Sequence, residues 1–136
     1  MSELETIGYT NLDDDKYGCL TVVDIPREIT SHEPWFNQTL TTVNDAVVRL
    51  GIFQGDFPWH KHDDQDEFFL VLDGELHMDT EGREPVILRR HEGFTVPKGT
   101  MHRPRSPKKS VVAGKRLGAL YRDRRDATQL HGRRRR

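Results

Sequence analysis

Four residues of this chain have the types and the spacing to hold one metal ion: His60, His62, Glu67 and His102. Three imidazoles and one carboxylate make an N3O donor set that accepts Fe, Mn, Ni, Co, Cu or Zn. The first three lie in G-D-F-P-W-H-K-H-D-D-Q-D-E-F-F-L-V-L-D-G, from Gly55 to Gly74, and the fourth closes E-G-F-T-V-P-K-G-T-M-H, from Glu92 to His102. Residues i and i+2 of a β-strand share a face, roughly 6.5–7 Å apart, so His60 and His62 can lean toward one ion. Glu67 stands at an odd offset from His62 and cannot share that face on one unbroken strand. Asp63, Asp64, Gln65 and Asp66 are turn-prone, end the first strand and let Glu67 open the next. Four protein ligands leave one or two positions for water or substrate. A metal held this way can polarise a carbonyl or enolate oxygen, or lower the pKa of bound water. Iron(II) in the same site would instead support dioxygen chemistry.

The elements that must position these residues read as short strands. Tyr17–Val23, Ala46–Phe53, Phe57–His62, Glu67–Leu72, Glu75–Asp79, Pro85–Leu88, Gly93–Val96 and a segment from His102 onward all read extended. Asp, Gly and Pro clusters separate them at roughly 8–12-residue spacing, the mark of an all-β barrel or sandwich. Phe68 to Leu72 is a continuous apolar run, which predicts a strand buried on both faces. Asp73-Gly74 and Thr80-Glu81-Gly82-Arg83 read as hairpin turns. Pro97-Lys98-Gly99 is a third turn, and it delivers His102. Asp24 to Thr41 reads as an N-terminal arm anchored by Trp35 and Phe36, and no helix-period segment stands out. The expected architecture is an all-β double-stranded β-helix, a jelly-roll barrel.

The two blocks resemble the paired motifs of the cupin superfamily, in particular the small single-domain bacterial proteins of cupin type 2. Gly55, His60, His62, Glu67 and Gly74 match the first motif, with a spacer of four residues after the glycine rather than five. Pro97, Gly99 and His102 match the end of the second, whereas Gly93 stands two residues closer to the proline than the usual pattern. That tighter form is common in small cupins. The resemblance covers roughly Asn44 to Arg105. It implies a metal-dependent isomerase, lyase or cyclase acting on a small oxygenated molecule, or an Fe(II) dioxygenase of the cupin type. A non-catalytic, metal-dependent small-molecule binding or sensor module is the reading from a different class. A deep cavity reaching the metal would favour the enzyme, and a filled barrel the binding or structural role.

The 136 residues suffice for one domain with a single core. The expected organisation is an N-terminal arm and first strand over 1–41, a barrel over 42–121 and a basic, disordered tail over 122–136. Residues 1–113 carry 12 basic and 20 acidic groups, while Gly114 onward carries nine basic and two acidic ones. An acidic body would repel a phosphate backbone, so the basic end reads as a solvated tail rather than a nucleic-acid arm, with Tyr121 its last anchored residue. No apolar run is long enough for a membrane span, and no secretory signal opens the chain, so a cytoplasmic location is expected. An apolar strand and the Trp35-Phe36 arm need cover, which predicts a two-fold homodimer.

The remaining chemistry-bearing residues receive plainer readings. Cys19 reads as a small core residue beside Leu20 to Val23. His77 reads as outward-facing, and His32, His91 and His131 as loop or tail residues. Trp59, Phe57, Phe53, Phe69, Met101 and Phe94 are candidates to line a cavity. One of Asp56, Asp63, Asp64 and Asp66 is a candidate to orient an imidazole. Arg103 and Arg105 would either bind an anionic substrate or lie on the surface.

Overall fold

A computed structural model describes residues 3–117. Its strands are β1 (Thr10–Leu12), β2 (Phe36–Val43), β3 (Ala46–Asp56), β4 (Glu67–Asp73), β5 (Leu76–Thr80), β6 (Val86–Leu88), β7 (Gly93–Val96) and β8 (His102–Leu117). Two helices precede the barrel strands, α1 (Glu3–Thr6) and α2 (Ile25–Ser31). The strands pair in the order β1-β2-β3-β8-β4-β7, with β5 joining β8 and β6. The long β8 belongs to both layers. Its far half lies between β3 and β4, while His102 to Arg105 pair with Thr80 to His77 on β5. The result is the jelly roll that the spacing of short strands and turn clusters predicted.

Alternation along β3 and β8 decides what each face buries. Phe53, Phe69, Val71 and Val112 turn into the barrel with Trp35, Leu76, Met78, Leu88 and Val96. Leu50 and Val111 turn outward into a second cluster with Tyr17 and Leu40, covered by Ile25 and Ile29 of α2. Both faces of Ala46–Phe53 are therefore occupied. On β4 the expectation is met only in part. Phe69 and Val71 are buried and Leu72 packs beneath α2, but Phe68 is 38% exposed.

Three expectations are corrected. Tyr17–Val23 is not a strand. Only Lys16 and Tyr17 bond to β2, through Thr39 and Leu40 carbonyls, after which Leu20 adopts a positive φ of 59° that no strand tolerates. Cys19 consequently lies exposed with a free thiol rather than in the core. Phe57–His62 is not a strand either. Pro58 removes a ladder donor, and only His60 forms an isolated antiparallel bridge, to His102. The segment expected as an arm contains a helix and a strand. Asp24 caps α2 by accepting from the Arg27 amide at 3.1 Å, with a proline in its first turn. Trp35 and Phe36, the expected anchors, are buried within the single chain at 6% and 4% exposure, so they need no partner subunit to cover them. Residues 118–136, with the expected closing strand to Tyr121, the tail and His131, lie outside the described residues.

Candidate metal centre

The turn Pro97–Thr100 and the loop His62–Glu67 are stitched together by backbone groups. The Gly99 amide donates to the His62 carbonyl at 2.8 Å, and the Lys98 amide to Asp66 Oδ1 at 2.9 Å. His60 and His102 exchange both backbone hydrogen bonds, at 2.9 and 2.8 Å. Gly99 takes a φ of +80°, which glycine adopts without strain. These links bring together two segments forty residues apart in sequence. One ligand atom from each of His60, His62, Glu67 and His102 lies within 4.8 Å of all the others. All four residues expected at the site therefore meet at one point.

The imidazoles are oriented by carbonyls. His60 Nδ1 lies 2.8 Å from the Pro58 carbonyl, and His102 Nδ1 lies 2.8 Å from that of Thr100. A carbonyl can only accept, so each Nδ1 carries the proton and each Nε2 offers a lone pair. No aspartate does this work. Asp66 caps the Lys98 amide, Asp63 pairs with Lys61 at 3.2 Å and Asp56 lies 3.6 Å from Arg103. Glu67 Oε1 stands 3.1 Å from His62 Nε2 and 3.7 Å from His102 Nε2. Burial pushes the His60 imidazole down to about 4, despite its bond to Pro58 and the nearby Glu67. It is therefore neutral at pH 7, the state in which imidazole binds a metal.

The donor set fits a cation. His102 is 1% exposed, and its Nε2 is buried without a hydrogen-bond partner among the described residues. A lone pair in that position carries a desolvation cost unless something electropositive faces it. Three imidazoles around one carboxylate suit a transition metal, with backbone acceptors fixing the His60 and His102 rings.

A cavity of about 450 Å³ opens onto His60, His62 and Glu67. Phe53, Phe57 and Phe69 form much of its wall, as the sequence suggested. Trp59 does not join them. It is 44% exposed, beneath the Arg103 guanidinium at 5.3 Å. Met101 and Phe94 are also absent from the lining. Arg103 and Arg105 are committed elsewhere. Arg105 grips Asp79 through two bonds at 2.6 and 3.0 Å, and Arg103 adds a third at 2.9 Å. Their side chains are about a quarter exposed, so they combine the surface placement with an internal anion as partner. The Arg105 bonds, foremost, hold the Asp79 carboxyl below its usual range. His77 sits beside them, near Glu75 and Arg105. His32 stacks on Phe36 at 3.7 Å, and His91 occupies a turn at φ 73°. Of the polar cavity residues, Glu3, Asn37 and Arg49 were missed. The available signal was a lone arginine inside the apolar run A-V-V-R-L-G-I-F.

Similarity to known proteins agrees with this geometry. Residues 47–113 match the Cupin_2 family, described as the cupin domain. Residues 47–113 form a cupin domain. The Bacillus subtilis (strain 168) protein YdbB, itself uncharacterised, is 44% identical over 75 residues, which are 55% of this chain and 66% of that relative. The match thus spans slightly less than two thirds of YdbB. A cupin-2 domain protein of Shewanella frigidimarina superposes with a TM-score of 0.67 at 24% identity, over 72% of this chain and 95% of that chain. A DMSP lyase, DddQ of Ruegeria pomeroyi, superposes with a TM-score of 0.51 at 22% identity, over 59% of this chain and 41% of the lyase. At these identities the structures show the shared fold. Among the described residues, no helix is long and apolar enough to cross a membrane.

Proposed function

We propose that this protein is a metal-dependent enzyme. His60, His62, Glu67 and His102 hold one divalent transition metal ion, and the substrate is a small oxygenated organic molecule. The reaction is of the isomerase, lyase or cyclase type. The observation that carries this reading is the buried Nε2 of His102, without a hydrogen-bond partner among the described residues and 3.7 Å from Glu67 Oε1, where Glu67 lines a cavity together with His60 and His62. A filled barrel would have favoured a structural role. DddQ, a lyase, is one example of an enzyme on this fold.

A bound metal would supply Lewis acidity to a carbonyl or enolate oxygen. The chain's own residues do the rest. The Pro58 and Thr100 carbonyls fix two rings with Nε2 inward. Burial keeps His60 unprotonated. Glu67 contributes the negative charge that offsets part of the cation's. Phe53, Phe57 and Phe69 exclude water and provide flat apolar walls for a substrate body.

Two further parts of the reading have their own support. The free, exposed Cys19 suits a reducing compartment such as the cytoplasm. The exposed β1 edge and the exposed Phe68 and Ile87 support a homodimer that covers them. The test is metal analysis of the purified chain, followed by a screen of carbonyl compounds with and without the metal found. Metal-dependent turnover without O₂ consumption supports the Lewis-acid reading, and turnover that consumes O₂ assigns a dioxygenase instead. Metal-dependent binding without turnover of any compound assigns a sensor.

A further inference from the structure

A second concavity lies on the outer side of the barrel wall. It is a groove of about 590 Å³, and it shares no lining residue with the cavity over the His/Glu cluster. Alternation along β8 separates the two. His102 joins the cluster and Pro104 lines the cavity, while Arg103 and Arg105 line the groove. The start of β8 is flanked by β5, through Asp79↔Arg103, and by the end of β3, through Asp56↔Arg105. The turn after β5 is held against the same stretch, since the Glu81 amide donates to the Met101 carbonyl at 2.9 Å.

The groove joins an exposed aromatic ring to polar groups of both signs. Trp59 is 44% exposed, and the Arg103 guanidinium stands 5.3 Å from its ring centroid. Three carboxylates, Asp56, Asp79 and Glu81, meet three guanidinium groups, Arg83, Arg103 and Arg105. Their formal charges cancel, so neither an anion nor a cation finds a surplus of the opposite sign. Arg103 is already fixed, because its Nε donates to Asp79 Oδ2 at 2.9 Å. Its Nη1 lies 3.6 Å from Asp56 Oδ2, beyond a hydrogen bond. Among the described residues the two Nη groups of Arg103 donate to nothing, and the Asp56 carboxylate accepts from nothing. A donor and an acceptor therefore stand side by side next to an exposed indole, held in place before any ligand arrives.

The ligand that matches this arrangement is uncharged, has one apolar face and carries groups that both donate and accept. Hydroxyl is the side group that does both. A pyranose ring gathers C–H groups on a face and spreads hydroxyls around its rim. The C–H face is weakly positive and suits the negative face of an indole. Two neighbouring hydroxyls can donate to Asp56 and accept from Arg103 at once, and bonds to charged partners are the stronger kind.

We propose that this groove is a carbohydrate-binding site, separate from the metal centre. It takes a neutral sugar unit stacked on Trp59, with adjacent hydroxyls between Asp56 and Arg103.

The test uses the full chain with the methyl glycosides of glucose, galactose, mannose and xylose, and with adenosine as a flat, uncharged comparator. Saturation-transfer NMR detects binding and tryptophan fluorescence titrates it. Trp35 is only 6% exposed, so a change in emission reports Trp59. At least one glycoside should bind with a Kd on the order of 1–10 mM, as a single stacked ring at an open site gives. Trp59→Ala, followed by NMR, should weaken that binding at least about tenfold with melting temperature and metal content unchanged. Asp56→Ala should weaken it at least about threefold. EDTA treatment should leave the affinity unaltered, because the groove holds none of the four cluster residues. Absence of binding by every glycoside at about 50 mM overturns the proposal. Glycoside binding that survives in Trp59→Ala, or that vanishes with EDTA, puts the sugar elsewhere and also overturns it. Adenosine binding as tight as that of the best glycoside overturns the assignment to carbohydrate.

Discussion

Asp79→Asn is the perturbation whose consequence can be worked most fully. Asp79 accepts three bonds from Arg103 and Arg105, two of them a bidentate pair, and its side chain is 10% exposed. Hydrogen bonds to charged groups contribute about 1.5–3 kcal/mol each, which gives an upper bound near 9 kcal/mol for the set of three. Both arginines are about a quarter exposed and can re-solvate, so much of that sum is recovered in water. The expected loss is about 2–3 kcal/mol, because Asn retains an acceptor but no charge. For a chain of this size it lowers the melting temperature by about 5–12 °C. The pH dependence has a fixed sign. The carboxyl is held below its ordinary value of 3.8, chiefly by Arg105. Its contribution is therefore complete above that value and fades as the pH falls through the folded-state pKa. The gap between wild type and Asp79→Asn should be full at pH 7 and should narrow below pH 3.8. Urea denaturation across that range measures it, with metal content as the control, since Asp79 does not line the cavity. A variant within about 0.5 kcal/mol of wild type at neutral pH, or a gap that widens in acid, would refute the reasoning.

Leu50→Ala removes a side chain at 0% exposure under α2 and should cost about 3–5 kcal/mol while leaving metal affinity intact; denaturant titration reads the first and elemental analysis the second. Gly74→Ala forces a Cβ to 2.6 Å from the Lys109 carbonyl at a φ of +82°, so it should destabilise by about 2–4 kcal/mol, and an unchanged urea midpoint would contradict the close approach. Light scattering should return twice the 15.8 kDa chain mass at micromolar concentration, and a monomer there would argue against the homodimer.

The site was more legible in the sequence than the segment that precedes the barrel. Ligand type, turn residues and spacing are all local, so His60, His62, Glu67 and His102 could be grouped from two short blocks. Strands β3 to β7 followed from short extended segments between Asp, Gly and Pro clusters and from the turns at Asp73-Gly74 and Thr80–Arg83. Residues 17–31 misled because Leu20, Val22 and Val23 satisfy a strand's composition, whereas pairing depends on what lies alongside. Leu20 and Val22 are instead exposed. Helix α2 had a readable cap, Asp24, and a proline in its first turn, but at seven residues it is too short for periodicity to register. The orienting groups of the imidazoles are backbone carbonyls, which no residue type announces. Asn37 and Arg49 converge only through the register of β2 against β3.

Metal stoichiometry tests the central claim most directly. Plasma mass spectrometry on the purified wild type should find one transition-metal ion per chain. His102→Ala, which removes the buried, unpartnered Nε2, should lose at least about tenfold in metal affinity while remaining folded by circular dichroism. A wild type that binds no transition metal at any supplied concentration, or a His102→Ala variant that retains the full complement, would contradict the account.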